Sequence, residues 1–221
     1  MAKCKYCGKN GLFVFVNQDG LCKNCQLIIV GDVNQRFRII NDSMKLIEES
    51  KNLKTRLGRC DTLIEHAREL TRYENLGINT ITPSPSDLVS AYLARKDEII
   101  VDNIEQYLIM AETKVEIADT SRKKINEYNK VLLEIEDVKT ELTDKERLNK
   151  LQLEIKTKVH KIQFDSYLDA AKKAEFKGQK KKAIDQFQEA LYFIKTDNVD
   201  DSLQKEWIDK LEKKISELSG S

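Results

Sequence analysis

The amino-acid sequence predicts a mainly α protein: a small cysteine-bearing β-hairpin at the N-terminus, then an elongated helical bundle or coiled-coil-like body. Three observations carry this expectation. Only 8 Gly and 2 Pro punctuate 221 residues while 34% are charged, a composition that suits long helices better than turns and strands. From Phe37 onward apolar residues recur at three- and four-residue intervals, the spacing of one helix face. Four of the 5 cysteines stand in two CxxC pairs before residue 26.

The bulk properties exclude several function classes. Lys and Arg (38) nearly balance Asp and Glu (37), so no global field would hold the chain on nucleic acid or an anionic membrane. Mean hydropathy is −0.53, and no apolar run reaches the roughly 18 residues of a membrane span. The N-terminus lacks the apolar stretch of a signal peptide. A cytoplasmic protein without membrane contact is expected, and in that reducing setting paired cysteines favour a metal over disulfides.

The N-terminal element comes first. Cys4, Cys7, Cys22 and Cys25 have the count and pairing of a structural zinc site, in which four thiolates close a tetrahedron and leave no position for substrate. Iron is the other metal this donor set admits. Gly8 follows Cys7, where a sharp turn needs positive φ. Leu12 to Val16 (LFVFV) reads as a strand with Phe13 and Phe15 on one face, and Asn17-Gln18-Asp19-Gly20 supplies the hairpin turn. After Cys25 no glycine follows, and QLIIV runs on until Gly31 and Asp32 interrupt it. A helix beginning at the second pair would set its N-terminal dipole beside the thiolates. Knuckle, hairpin, then a ligand pair on a first helical turn resembles a treble-clef zinc finger over residues 1–30. Lys3, Lys5, Lys9 and Lys23 offset the negative charge that four thiolates carry, and Tyr6, Phe13 and Phe15 suit a tiny core as well as stacking on bases.

Next, Phe37, Ile40, Met44, Ile47, Leu53, Leu57, Leu63, Ile64, Ala67 and Leu70 predict one long helix or a pair across residues 33–74, with Gly58 as either a bend or a close packing position. Cys60 reads as a small buried residue. The segment TITPSPSD marks a boundary, and Ser84, Pro85 and Asp87 fit N-cap, first-turn proline and N3 acid of a new helix. Val101, Ile104, Leu108, Ala111, Val115 and Ala118 then form a heptad-like stripe. It resumes after Arg122 with Ile125, Tyr128, Leu132, Ile135 and Leu142. An intramolecular antiparallel bundle is preferred, with a homo-oligomer seam as the alternative. Thr143 and Glu146 suggest a capping box opening a helix that carries Leu148, Leu151, Ile155, Val159 and Ile162 inward. The expected divisions are 1–30 finger, 31–78 helical segment, 79–86 linker, 87–162 long hairpin or coiled-coil-like segment, and 163–218 three-helix unit.

In that last unit Ala171 and Ala174 precede Gly178, and Ala183, Phe187 and Ala190 follow it. Small residues let two antiparallel helices approach, a glycine permits the turn, and the aromatic fills the gap. Tyr167–Ile194 resembles one tetratricopeptide repeat, and with the following helix (Leu203–Leu218) also the three-helix microtubule-interacting-and-trafficking type of module. The closing proline of the repeat is absent; Lys195 to Asp197 stand there. The resemblance implies binding of another protein in a helical groove. Twelve basic against six acidic residues fall between Asp144 and Lys182, with Lys177, Lys180, Lys181 and Lys182 at the turn, a speculative partner surface.

Catalysis finds no support. The two histidines, His66 and His160, lie far apart in helical patterns, and no metalloprotease, phosphate-loop or serine-hydrolase motif occurs. The sequence is therefore read as a non-enzymatic interaction or adaptor protein with structural zinc and a protein partner. The alternative is a nucleic-acid-binding regulator using the finger and the Lys177–Lys182 turn.

Overall fold

The computed structural model describes residues 3–11, 14–197 and 201–220. It is mainly helical, as the composition and periodicity predict. Among the described residues seven helices run in order: α1 (Lys23–Glu49), α2 (Leu53–Glu74), α3 (Pro85–Ile117), α4 (Ser121–Val138), α5 (Glu146–Phe176), α6 (Lys180–Thr196) and α7 (Asp201–Gly220). The expected strand at Leu12–Val16 falls partly outside the described residues, which omit Leu12 and Phe13. Among those described, the N-terminal segment makes two isolated antiparallel bridges, Lys3 with Asn10 and Val16 with Cys22, and no strand. Contacts gather the chain into two compact units, Met1–Glu105 with Val138–Lys145, and Gln106–Asp137 with Glu146–Ser221.

In the first unit α1 and α2 pair. Their buried stripe is Cys25, Ile29, Ile40 and Ile47 on α1 and Cys60, Leu63, Ala67, Leu70 and Tyr73 on α2. Each fully buried aliphatic side chain contributes roughly 1.5–3 kcal/mol. Phe37, placed in this stripe by its spacing, is instead 38% exposed. The helices separate at Ser50–Asn52, where Asn52 Oδ1 accepts from Thr55 N at 2.9 Å and caps α2. Gly58 lies inside α2 and causes no break. Gly31 and Asp32, read from sequence as an interruption, sit within a continuous α1. Asp32 is a hub: it accepts from Arg36 Nε (3.0 Å), Arg72 Nη2 (2.9 Å) and Tyr73 Oη (3.0 Å), joining the two helices. His66 Nδ1 accepts from Arg36 Nη1 at 3.1 Å and so packs between the same helices.

The end of α2 is a Schellman turn. Gly77 takes φ +68°, its N–H reaches Glu74 O (2.8 Å), and Ile78 N reaches Tyr73 O (3.0 Å), an arrangement that only glycine adopts without strain. Ile78 is buried in the α1–α2 core together with Leu88 and Ile99 of α3. The start of α3 follows the sequence signal: Ser84 Oγ accepts from Asp87 N at 3.2 Å and donates to its carboxylate at 2.7 Å. Glu74 reinforces it by accepting from Ser86 N (3.1 Å) and Oγ (2.6 Å). Further along α3, Asp97 takes the N–H groups of Thr143 and Asp144, and α5 begins at Glu146.

In the second unit α5 packs on α6 and α6 on α7. The core comprises Phe164, Leu168, Ala171 and Ala174 of α5, Ala183, Phe187, Ala190 and Ile194 of α6, and Ile208 and Leu211 of α7. Every alanine of the sequence pattern is therefore at the helix contact. Gly178 (φ +68°) closes α5 in a second Schellman turn, with Gly178 N to Glu175 O and Gln179 N to Ala174 O at 2.9 Å. Asp197 ends α6 and accepts from Gln204 Nε2, and it lies 2.6 Å from His160 Nε2 of α5. On the heptad-like stripe, α3 ends at Ile117 and α4 starts at Ser121, so the skip at Arg122 is a helix break. On α4 Val131 is buried with Tyr128 and Ile135, and on α5 Gln152, not Leu151, joins Leu148 and Ile155.

Two outcomes test this packing. Burial alone would raise the Asp32 carboxyl, but hydrogen bonds from Tyr73, Arg72 and Arg36 outweigh it and hold the group below its ordinary value of 3.8. Its stabilisation is present above the unfolded carboxyl's titration and is lost as pH falls through the lowered folded value. Asp32→Asn should cost about 1–2 kcal/mol near neutral pH, a difference that shrinks below about pH 4 in urea unfolding at several pH values. Ala190→Leu should lower stability by about 1–3 kcal/mol through overpacking of α5 against α6, whereas Ala→Leu at exposed Ala94 of α3 should change the thermal midpoint little.

Candidate metal centre

The four cysteines expected to act together do meet. Their Sγ atoms all lie within 4.8 Å of one another, and Cys7 Sγ is 3.9 Å from Cys22 Sγ. Tetrahedral bonds of about 2.3 Å set sulfurs roughly 3.8 Å apart, whereas a disulfide needs about 2.05 Å. All four are free thiols. The separation and donor set fit one metal ion, and among the described residues this is the one such cluster.

The local chain explains the convergence. Gly8, at φ +72°, donates its N–H to Cys4 O at 2.9 Å, closing the turn that turns Cys7 back on Cys4. Asn17 and Gly20 close the next turn, with Asn17 Oδ1 accepting from Leu21 N at 2.8 Å. That turn brings Cys22 N to 3.4 Å from Cys4 Sγ. Cys22 is the N-cap of α1 and Cys25 lies in its first turn. Two ligands thus sit where the helix exposes N–H groups and partial positive charge, which favours thiolate.

Electrostatics within the cluster are uneven. Burial works to raise the Cys4 thiol, but N–H donors from Cys7, Cys22 and Tyr6 outweigh it and lower the group to about 6. Burial, then sharing of protons with Cys22, Cys7 and Cys4, pushes Cys25 up to about 12. Four thiolates cannot crowd together uncompensated; a divalent cation supplies the opposing charge and displaces the protons. Cys60 is fully buried on α2, and desolvation raises its thiol, so it stays protonated.

The cluster is fastened to the helices. Cys4 and Cys25 share one core with Leu21, Ile29, Ile78 and Tyr73. Lys5 Nζ donates to Gly77 O at 2.8 Å, and the Tyr6 ring lies 5.9 Å from that of Tyr73. Of the aromatic residues with two sequence readings, Tyr6 packs on Tyr73, Phe15 is 82% exposed, and Phe13 lies outside the described residues. Leu27, Ile28 and Val30 on α1 are also exposed. Sequence held a signal for this: consecutive apolar residues sweep around a helix, so Leu27 to Val30 cannot all face one core.

The second predicted surface stands apart in sequence. Lys177 lies in the α5–α6 turn and Lys180, Lys181 and Lys182 in the first turn of α6, all exposed. Each histidine packs within its own unit: His66 against Arg36 of α1, and His160 stacked on Phe193 at 4.7 Å. Among the described residues, no helix is long and apolar enough to cross a membrane. No protein-family model matches this chain, and no curated protein or solved structure does so.

Because Cys25 belongs both to the metal site and to the α1–α2 core, Cys25→Ser should abolish stoichiometric metal and lower the thermal midpoint. Cys60→Ala should leave metal content unchanged and cost about 1 kcal/mol or less. Elemental analysis paired with thermal unfolding checks both.

Proposed function

We propose that the cysteine cluster holds zinc as a structural ion in a treble-clef-type finger, and that the chain is a non-enzymatic, cytoplasmic interaction protein whose partner is another protein. The observation that carries this reading is the exposure of Phe15 and Ile28, which line one hollow with Cys7, Cys22 and Cys25, with exposed Leu27 next to Ile28 on α1. Apolar side chains gathered on a frame fixed by metal and core mark a docking surface rather than a catalytic pocket. Four sulfur ligands leave zinc no open coordination position, which argues against hydrolytic use of the ion. The α5–α6 hairpin, with alanines at the contact and glycine at the turn, supports likeness to a single tetratricopeptide repeat and adds a second helical surface of the peptide-binding kind.

The test uses the full chain. One zinc per chain, lost with Cys4→Ser, is expected from elemental analysis; iron or no metal would refute the first half of the proposal. Cross-linking and affinity recovery are then compared between wild type and the pair Leu27→Asp, Ile28→Asp. Proteins retained by wild type and lost by the pair, at equal zinc content and helicity, are the expected result. Equal recovery would remove this surface from the proposal.

A further inference from the structure

The turn between α5 and α6 carries a surface unlike that around the cysteines. Residues 172–182 hold six lysines and one carboxylate. That carboxylate, Glu175, is already engaged by Lys214 at 2.6 Å. Among the described residues Lys172, Lys173, Lys177, Lys181 and Lys182 have no ion-pair partner. Several lysines elsewhere are matched: Lys158 lies 2.6 Å from Glu112 and 2.7 Å from Glu154, and Lys195 2.6 Å from Glu212. At the centre of the unmatched group stands Phe176, the last residue of α5, 94% exposed. The Schellman turn through Gly178 fixes that position, so the ring is presented by ordered backbone.

Both features cost the fold something. A bare aromatic ring forgoes the burial that would stabilise it. Lys181 and Lys182 at the opening of α6 oppose the backbone's own partial positive charge there, and no acid stands in that first turn. The basic opening of α4 differs, because Asp119 holds Lys123 at 2.8 Å.

We propose that this turn binds single-stranded nucleic acid, with the lysines on phosphates and the Phe176 ring stacked on an unpaired base. Charge complementarity selects a polyanion, and the lone ring selects the kind. Apart from Phe176, the exposed side chains of this turn are polar or charged, so it lacks the apolar helix face that insertion into a lipid interface needs. A paired base in a duplex offers no free face to such a ring, whereas a single strand does, and lysine with aromatic stacking is the sequence-tolerant mode for single strands. This interaction is independent of the zinc reading and of the surface around Leu27 and Ile28.

The experiment uses the full-length, metal-loaded protein and labelled oligothymidylate and oligouridylate of about 20 nucleotides in about 50 mM salt. A duplex of equal length, polyglutamate as competitor and phosphatidylserine-containing vesicles are run in parallel. Expected are retention of a single strand over the duplex, weakening of about tenfold with Phe176→Ala and with Phe176→Leu, and recovery with Phe176→Tyr. Affinity should fall steeply with salt, less steeply for Lys181→Glu with Lys182→Glu. Phe176 is exposed, so its variants should keep the wild-type thermal midpoint, which separates lost contact from lost fold. The proposal is overturned by no retention of either single strand, by equal affinity for duplex, by indifference to Phe176→Ala, or by polyglutamate competing as well as an unlabelled strand. Vesicle binding without single-strand binding, kept by Phe176→Leu, overturns it in favour of a lipid surface.

Discussion

The shared burial of Cys4 and Cys25 in the α1–α2 core is the constraint on which the N-terminal half depends. A small segment with two isolated bridges cannot bury enough apolar surface to order itself. It is ordered because its inner cysteines are at once metal-directed and core residues. The outer pair, Cys7 and Cys22, complete the donor set from the solvent side. An ion held by this cluster would therefore couple its binding free energy to packing, since whatever draws the four sulfurs together also seats Leu21 and Ile29. Helix α1 is the common part, capped by one ligand and carrying another in its first turn.

Polar chemistry then fixes how α1 meets α2 beyond the metal. Asp32 receives three donors from two helices. Tyr73, one of those donors, is almost completely buried and also faces Tyr6 of the cysteine segment. A single tyrosine thus couples the carboxylate hub to the cysteine segment through its hydroxyl and a tilted ring contact. Lys5, tied to Gly77 O, adds a link from the same segment to the turn that ends α2. Satisfied polar groups of this sort select one register of two helices where apolar contacts alone would tolerate several.

Much of this was legible in the sequence, and the reasons differ by feature. The cysteine set and the α5–α6 hairpin were readable because both chemistries need fixed spacings: ligand pairs two apart, and small residues recurring on one helix face around a glycine. The opening of α3 was readable because Ser84, Pro85 and Asp87 act within four residues. Features that depend on distant partners were not. Asp32 looked like an interruption because its three donors stand on other turns and another helix. The break at Ser50–Asn52 was missed because Asn52 with Thr55 is a weaker local signal than the glycine at 58, which a packed helix tolerates at about 1 kcal/mol. Phe37 kept the correct spacing yet stayed half out, since periodicity names a face and not how far the neighbouring helix covers it.

The lysines show why composition alone misleads about surfaces. With basic and acidic residues almost equal in number, the chain as a whole has no preferred counter-ion. Locally the two signs are not mixed evenly. Along the helical faces lysine and glutamate are interleaved three and four apart, as in Lys158 with Glu154, Lys210 with Glu206 and Lys150 with Glu146, and these pairs satisfy one another. At the α5–α6 turn the interleaving stops, because the helix direction reverses and the sequence puts lysine on both sides of the reversal. Acids occupy the openings of α3 and α5, at Asp87 and Glu146, where the helix dipole favours them, and are missing from those of α1, α2, α4 and α6, the last of which opens on three consecutive lysines. A turn whose charges oppose the local field while its packing alanines obey every rule of the hairpin separates two roles on one short segment: the inner residues specify the fold, and the outer ones contribute nothing to its core.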